Sequence, residues 1–304
     1  MRIGRTAVVT DTGRRRLGNE DANVFKPPFF AIADGMGGAR AGEIAAGLAA
    51  ATLEEGAPES ADGIVALIEE ANRRVWERSV QDPETAGMGT TLTAALVDAE
   101  AGTIVIGHVG DSRAYLYRDG ELEQLTTDHS LVVELVESGI LTPEEAERHP
   151  QRSAITRAVG TEPTVEVDAF TVDAKPGDLY LICSDGLTDM LAAEEVEDVI
   201  ESAEADPSRA AEALVAAANA RGGEDNITVV LFEMTDVEAP AESTPSTAPS
   251  AEPAAPGAAG ADLESATGSL QRHGAGPGGR AAALLLIALI LGIALLFLYW
   301  GIRQ

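Results

Sequence analysis

The sequence predicts an α+β fold in which stacked sheets are covered by helices. Apolar runs typical of strands fall into two groups along the chain, and helical patterns follow each group. Strict alternation of strands and helices is absent, so a doubly wound parallel sheet is not expected. The 304 residues leave room for one large domain or two small ones.

The first half of the chain carries most of the predicted strands. They are expected at residues 6–10, 23–25, 29–33, 89–97, 103–109 and 113–117. Two helices precede the fourth strand: residues 43–53 are rich in alanine, and residues 61–79 place apolar side chains at helical spacing. The pair Asp119-Gly120 then predicts a two-residue hairpin.

The second half of the chain is expected to be richer in helices. Ser130 is expected to cap one helix, and Pro143 with the acids after it to open another. The polar stretch 149–160 is expected to form a mobile loop. The remaining elements are expected to be strands at 165–172, 178–183 and 227–232, and helices at 194–202 and 207–220.

The composition changes abruptly after the last predicted strand. Residues 1–234 form the predicted globular domain, and residues 235–280, rich in Ala, Pro, Ser, Thr, Glu and Gly, are predicted to be a disordered linker. Residues 281–300 carry no charge and are long enough to span about 30 Å of hydrocarbon. We therefore expect one transmembrane helix there, rather than a buried globular helix, followed by a short tail at 301–304.

The charge and the cysteine content limit which partners and which cellular compartment the sequence favours. The chain has 50 acidic against 21 basic residues, for a net charge of -29, which argues against nucleic acid as a partner and is compatible with cation binding. The single cysteine, Cys183, rules out an internal disulfide and fits a reducing compartment. Because no secretory signal begins the chain, the globular domain is expected in the cytoplasm, anchored to the cell membrane by the C-terminal helix.

In two places an apolar run is followed, at once or after one serine, by an aspartate and a glycine. Residues 29–33 lead into Asp34-Gly35, and a later apolar run leads into Ser184 and then Asp185-Gly186. Asp-Gly is also a common turn pair, so a simple turn is the alternative at either place. The glycines permit a tight turn in which a backbone carbonyl approaches a bound ion.

Further acids flank other predicted strands. Asp225 precedes the last strand, Asp111 lies between two strands, and Glu20-Asp21 lies in an early turn. If these strands are neighbours, the carboxylates meet at one rim and repel one another unless cations bind. Oxygen ligands without a Cys or His pair select hard ions such as Mg²⁺ or Mn²⁺. Two such ions can activate a water for attack at phosphorus.

A phosphate group would also need a cation from the protein. A guanidinium fits two phosphate oxygens and stays charged when it is partly buried. Arg16 lies close to the early acids, but it belongs to a basic triplet, and spacing alone does not choose among Arg14, Arg15 and Arg16.

Six segments, in this order, resemble the motifs of the metal-dependent protein serine/threonine phosphatases of the PPM (type 2C) family. They are Arg16-Leu17-Gly18-Asn19-Glu20-Asp21, Asp34-Gly35-Met36-Gly37-Gly38, Gly87-Met88-Gly89-Thr90-Thr91, Gly110-Asp111-Ser112-Arg113, Cys183-Ser184-Asp185-Gly186 and Asp225-Asn226. The resemblance covers about residues 5–233. It implies a four-layer α-β-β-α sandwich, two antiparallel sheets flanked by helices, with a two-metal centre between the sheets.

The resemblance implies that the chain is an enzyme that hydrolyses phosphoserine and phosphothreonine in proteins and so opposes Ser/Thr kinases. It also implies roles for individual acids around Mn²⁺ or Mg²⁺. Asp34 would bridge two ions, and Gly35 would ligate through its carbonyl. Asp185 and Asp225 would bind the first of these ions.

The second metal and the substrate have their own residues in the family. The resemblance implies that Glu20 and Asp21 hold waters of the second ion, and that Asp111 together with Asp185 forms a third, weaker metal site. It implies that Arg16 takes the substrate phosphate.

One position departs from many eukaryotic members of the family. Met36 stands where those proteins have a histidine proposed as the general acid, although many bacterial members also have methionine there. Our hypothesis is that a metal-held water protonates the leaving group, with His129 and His149 as the other candidates. Residues 142–161 resemble the segment that shapes substrate access in the family.

Other phosphatase chemistries fit the sequence less well. A cysteine-based phosphatase needs an arginine six residues after its nucleophile, and Asp189 stands there after Cys183. No Gly-x-Ser-x-Gly elbow or P-loop is present. Two alternatives remain. One is a membrane-tethered pseudophosphatase that binds phosphoproteins, whose mark would be a lost metal acid; none is missing. The other is a phosphatase for small phosphoesters.

Overall fold

The computed structural model describes residues 1–37, 41–56, 58–146 and 148–236. No helix in this part of the chain combines the length and the hydropathy of a membrane span. The predicted transmembrane helix at 281–300, the tail at 301–304 and nearly all of the predicted linker at 235–280 lie outside the described residues.

The described residues form twelve strands. The strands are Arg2–Asp11 (β1), Ala22–Lys26 (β2), Phe29–Ala33 (β3), Gly35–Met36 (β4), Gly89–Thr90 (β5), Leu92–Asp98 (β6), Thr103–Val109 (β7), Arg113–Arg118 (β8), Glu121–Gln124 (β9), Asp168–Asp173 (β10), Leu179–Cys183 (β11) and Ile227–Thr235 (β12). One five-stranded sheet has the order β1-β12-β11-β8-β9, and the other has the order β10-β7-β6-β3-β2. Every pair in both sheets is antiparallel.

The helices fall into three groups along the chain. They are Ala41–Glu55 (α1), Ala61–Gln81 (α2), Leu131–Glu137 (α3), Pro143–Ala146 (α4), Asp185–Thr188 (α5), Ala193–Ser202 (α6) and Pro207–Ala220 (α7). Two of the longer helices, α2 and α7, begin at capping residues. The Ser60 side chain accepts from the Gly63 amide at the start of α2, and the Asp206 side chain accepts from the Arg209 amide at the start of α7.

Three apolar layers explain the stacking order. On β3, Phe30 and Ile32 face the opposite sheet, whereas Phe29 and Ala31 face α1 and α2. The strands β11 and β12 alternate in the same way between the opposite sheet and the cluster that contains α5, α6 and α7. Because successive strand residues point to opposite faces, each sheet is covered on both sides. The result is the four-layer α-β-β-α sandwich that was predicted.

Aromatic rings join the two sheets at the centre of the sandwich. The Phe232 ring on β12 stacks on Phe30 of the opposite sheet, with centroids 4.5 Å apart, and on Tyr180, at 5.1 Å. All three side chains are buried. The inter-sheet core is therefore anchored by one aromatic stack rather than by aliphatic contacts alone.

Three sequence predictions need correction. The strand expected at 89–97 breaks at Thr91, because the Thr91 amide donates to the Asp34 carbonyl instead of to a neighbouring strand. The strand expected at 165–172 begins only at Asp168, since the residues before it pack against the cluster under α1 and α2. Ser130 precedes α3 as expected, but its side chain makes no capping hydrogen bond.

The stretch 149–160, expected to be a loop, is fixed at two points. Ser130 pairs with Ile155, and Thr90 pairs with Val159, each as an isolated antiparallel bridge. We use the name flap for residues 130–161, which include α3 and α4. The first bridge closes the flap on itself at its root, and the second joins the end of the flap to β5.

Candidate metal centre

The turns that carry the predicted acids all lie at one edge of the two sheets. Asp34 follows β3, Asp111 follows β7, and Asp185 follows β11 after Ser184. Asp21 precedes β2, whose first residue pairs with the last residue of β3. Asp225 precedes β12, whose beginning pairs with the end of β11. Antiparallel pairing brings the end of one strand next to the start of its neighbour, so acids distant in sequence meet.

Asp34 is fixed through its backbone. Its carbonyl accepts from the Thr91 amide, at 2.9 Å, and from Thr90 Oγ1, at 2.8 Å. Its amide donates to Thr91 Oγ1 at 3.1 Å. Burial, and then the charges of Asp185 and Asp21, raise the pKa of Asp34 well above its usual range. This carboxyl group therefore lies among other acids, and the main influences on its pKa include no cationic side chain of the described residues.

Asp185 begins the short helix α5, which the sequence did not predict. Burial raises the pKa of Asp185 well above its usual range, and the neighbouring Asp111, Asp189 and Asp225 add to the effect. Its Oδ1 atom is buried and has no hydrogen-bond partner. A buried, unpartnered carboxylate oxygen is costly unless a ligand compensates it.

Asp21 is held by two hydroxyl groups on the other sheet. Ser184 Oγ donates to Asp21 Oδ2 at 2.9 Å, and Thr228 Oγ1 donates to the same atom at 2.6 Å. Burial nevertheless raises the pKa of Asp21 to about 6, because these hydrogen bonds offset only part of the desolvation. Its other oxygen, Oδ1, is buried without a partner.

Asp111 lies in the turn between β7 and β8. Burial, and then the Asp128 carboxylate, raise the pKa of Asp111 to about 7. Its Oδ1 atom is also buried and unpartnered. The Ser112 hydroxyl in the same turn bonds to Thr91 Oγ1 at 2.6 Å, and so connects this turn to the residue that fixes Asp34.

The Arg16 side chain is partly exposed and contacts two of the predicted acids. Its guanidinium forms an ion pair with Asp225, and its Nη1 lies 3.5 Å from Glu20 Oε1. Glu20 is buried, and burial raises its pKa, whereas Asp225 is about one-third exposed. Asn226 orients this corner: its Oδ1 accepts from the Glu20 amide at 2.7 Å.

Gly35 lies where any larger residue would collide with the backbone. A Cβ atom at this position would lie 2.6 Å from the Glu20 carbonyl oxygen and still closer to the carbonyl oxygen of Gly42. The turn after β3 is therefore packed against the loop that carries Glu20 and Asp21, which only glycine permits.

The side chains present fit a hard divalent cation. Three buried carboxylate oxygens without partners, one each from Asp21, Asp111 and Asp185, face the same region as Asp34. No three His, Cys, Asp or Glu side chains among the described residues form a ready-made ligand set. Carbonyl groups and waters commonly complete the shell of such ions, so a mixed oxygen donor set is what these acids offer.

A cleft of about 480 Å³ opens beside the acids. Asp111 and Asp185 line its floor, and residues of α3 and α4 line the side formed by the flap. Arg152 and Ser153 of the flap also reach the cleft. The flap thus bounds a space next to the acids that is large enough for a phosphorylated side chain.

Neither His129 nor His149, the two histidine candidates for the proton donor, is among the residues that line this cleft, and Met36 is not among them either. Met36 pairs with Gly89 between β4 and β5. His149 is partly buried, and its Nδ1 accepts from the Gln151 amide at 3.2 Å. His129 is buried, its Nδ1 accepts from the Gly110 amide at 3.0 Å, and burial lowers its pKa.

Sequence reasoning missed the neutral residues that orient the acids. Thr90, Thr91, Ser184, Thr228 and Asn226 each bond directly to a backbone or side-chain atom of a predicted site acid. The only signal available was that most of them lie inside or beside the six motifs, since hydroxyl and amide groups give no charge pattern.

Comparison with known proteins adds an independent observation. The family described as Protein phosphatase 2C matches residues 19–219. The serine/threonine phosphatase stp of Listeria welshimeri is 41% identical over 238 residues, which cover 74% of this chain and 93% of that protein.

Solved structures agree with the sequence comparison. The serine/threonine phosphatase PstP/Ppp of Mycobacterium tuberculosis has a TM-score of 0.72 and 38% identity, covering 77% of this chain and 100% of that one. The catalytic domain of the serine threonine protein phosphatase PstP in complex with two manganese ions has a TM-score of 0.70 and 36% identity, covering 77% and 99%. The chain therefore belongs to the protein phosphatase 2C, or PPM, family and is a protein serine/threonine phosphatase.

Proposed function

We propose that the protein removes phosphate from phosphoserine and phosphothreonine in proteins, using two divalent ions and possessing a third, weaker site. The observation that carries the proposal is the set of buried, unpartnered carboxylate oxygens beside an open cleft. Like charges gathered in this way are stabilised by cations. A related catalytic domain is described as a complex with two manganese ions, which supports Mn²⁺ as one such ion.

The proposed ligands follow the positions already described. They are Glu20, Asp21, Asp34, the Gly35 carbonyl, Asp111, Asp185 and Asp225. When bound, Mn²⁺ or Mg²⁺ would supply Lewis acidity and a water acidic enough to attack phosphorus at neutral pH.

The protein's own residues bind and orient the substrate. Arg16 offers a guanidinium at the rim, and its pairing with Asp225 and Glu20 holds that group near the acids. A phosphate would compete for the guanidinium, since both partners present paired oxygens. The flap limits which side chains reach the cleft. Because none of the described residues that line the cleft is a histidine, we assign proton delivery to the departing alkoxide to water.

The direct experiment uses the purified full-length protein. We expect hydrolysis of phosphothreonine peptides and of p-nitrophenyl phosphate only with added Mn²⁺ or Mg²⁺, and loss of both activities with a chelator. Phosphate release is the measurement. A preference for free small phosphoesters over peptides would favour the small-phosphoester alternative. Peptide binding without any turnover would favour the pseudophosphatase.

Replacing the proposed phosphate-binding arginine should weaken substrate binding. Hydrogen bonds to charged groups contribute about 1.5–3 kcal/mol, so Arg16→Ala should raise KM about 10–100-fold and lower kcat less. Steady-state kinetics on a phosphothreonine peptide checks this. Arg15→Ala is the control, since the only hydrogen bond described for Arg15 is its backbone amide to Gly223. An equal loss in kcat and kcat/KM would assign Arg16 to the transition state instead.

We also propose that the protein acts at the cytoplasmic face of the cell membrane, where it opposes Ser/Thr kinases. The support is the uncharged run at 281–300, which is long enough to span a bilayer, and the single cysteine, which fits a reducing compartment. The full chain should sediment with membranes and resist carbonate extraction, whereas a chain ending at residue 280 should be released. Equal solubility of the two chains would contradict the anchor.

A further inference from the structure

One residue at the root of the flap binds both backbone polar groups of Gly110. The His129 amide donates to the Gly110 carbonyl at 2.8 Å, and the Gly110 amide donates to His129 Nδ1 at 3.0 Å. His129 is buried, so water does not compete for these bonds. The turn that carries Asp111 is thus clamped by its preceding residue.

The backbone of the clamped turn has little freedom to adopt another conformation. Gly110 has a φ of 113°, in the region that favours glycine, and a Cβ there would lie 2.6 Å from Thr91 Cβ. Asp111 follows directly, lines the cleft and presents the unpartnered Oδ1. The direction of this carboxylate therefore depends on how Gly110 is held.

The far side of the imidazole has a matching partner. Because Nδ1 accepts a hydrogen bond, the proton of the neutral ring resides on Nε2. That nitrogen lies 3.3 Å from Asp168 Oδ2 on β10 and 3.0 Å from Arg157 Nη1, which also donates to Asp168 Oδ1 at 2.7 Å. Because a guanidinium can only donate, Asp168 is the acceptor available to a proton on Nε2, and its carboxylate helps to orient the ring.

The same residue also connects to the flap. The Thr156 amide donates to the His129 carbonyl at 2.8 Å, and the next residue, Ser130, pairs with Ile155. The Leu131 amide donates to the Ala154 carbonyl at 2.9 Å. The two ends of the flap segment 130–156 are therefore joined at His129, directly beneath the Asp111 turn.

We propose that His129 is a positioning residue that couples the flap to the Asp111 turn, and so sets the affinity for the ion that Asp111 and Asp185 would share. The proposal rests on the metal ligation proposed above. It assigns His129 no contact with substrate or with the reacting atoms.

The first test is made on the wild-type full-length protein, and a variant is used only to assign the signals. Long-range ¹H–¹⁵N NMR of the four histidines, with the His129 signals assigned by their loss in His129→Asn, should show the Nε2–H tautomer. A proton on Nδ1 would overturn the clamp, because that nitrogen would then be unable to accept from Gly110.

Calorimetric titration with Mn²⁺ alone gives the second test. Groups that orient a metal ligand typically contribute 10–100-fold in affinity, so His129→Ala should weaken the weakest Mn²⁺ site by about that factor and leave the tighter sites unchanged. His129→Asn should restore most of the loss, because its Oδ1 takes the position of Nδ1 as acceptor. His149→Ala, a flap histidine outside the cleft lining, is the matched control.

The outcomes separate this proposal from the phosphatase function. A wild-type isotherm for His129→Ala, or an isotherm for His129→Asn no better than that of His129→Ala, overturns the coupling. Wild-type protein that binds Mn²⁺ without hydrolysing phosphopeptides overturns the proposed function, while the isotherms still decide the role of His129. Absence of Mn²⁺ binding in the wild-type protein overturns both.

Discussion

Asp34→Asn should reduce hydrolysis of phosphothreonine peptides to background while leaving the protein folded. The amide has the size of the carboxylate, and the backbone bonds to Thr90 and Thr91 remain available. The asparagine side chain, however, lacks the negative charge that a bridging carboxylate shares between two cations. Phosphate release under saturating Mn²⁺ measures the loss, and Asp198→Asn, an exposed position on α6, is the control for the chemical change itself.

The same variant should respond differently to metal in thermal unfolding. Burial and neighbouring acids raise the pKa of Asp34, so the ionised group is unfavourable in the metal-free protein, and the neutral amide should match or exceed the metal-free wild type in Tm. Ligands that bind only the folded state raise Tm, and this Mn²⁺-induced rise should shrink in Asp34→Asn. A variant that keeps both the wild-type turnover and the full Mn²⁺-induced rise would contradict a metal role for Asp34.

Phe232→Ala should cause a large loss of stability. Phe232 is fully buried and stacks on both Phe30 and Tyr180, so removing its ring leaves a cavity between the sheets. Large-to-small changes of this kind cost about 3–5 kcal/mol in the free energy of unfolding. Urea denaturation followed by circular dichroism measures the difference.

A surface position provides the comparison for that substitution. Val80 on α2 is largely exposed, and Val80→Ala should change the free energy of unfolding by less than about 0.5 kcal/mol. If Phe232→Ala were equally mild, the two sheets would not depend on the aromatic stack, and the inter-sheet contact would have to come from the aliphatic residues around it.

Local patterns account for the part of the fold that the sequence predicted. The run at 29–33 is apolar without a break because both faces of β3 are covered, one by helices and one by the second sheet. The helix at 61–79 was predicted from its apolar spacing and extends by two residues to Gln81. For elements such as these, the spacing of apolar residues within the segment is enough to predict the type of element.

Other features depend on partners distant in the chain and left no local trace. The break at Thr91 exists because Asp34, more than fifty residues away, takes its amide. The pairing of Arg16 with Asp225 joins the two ends of the domain, and triplet spacing could not have distinguished Arg16 from Arg14. The roles of Thr228 and His129 appear only when the strands are placed side by side.

The pairing of the first and last strands has a geometric consequence. Arg2 lies opposite Thr235, and Asp11 lies opposite Ile227, whose end of the strand leads back to Asp225. Eight steps along β12 cover about 27 Å, at about 3.4 Å per residue. A fluorescent or affinity tag at the amino terminus would thus emerge beside the exit of the polypeptide from its last strand. The attachment point of an amino-terminal tag would therefore lie at the end of the strand opposite the acids.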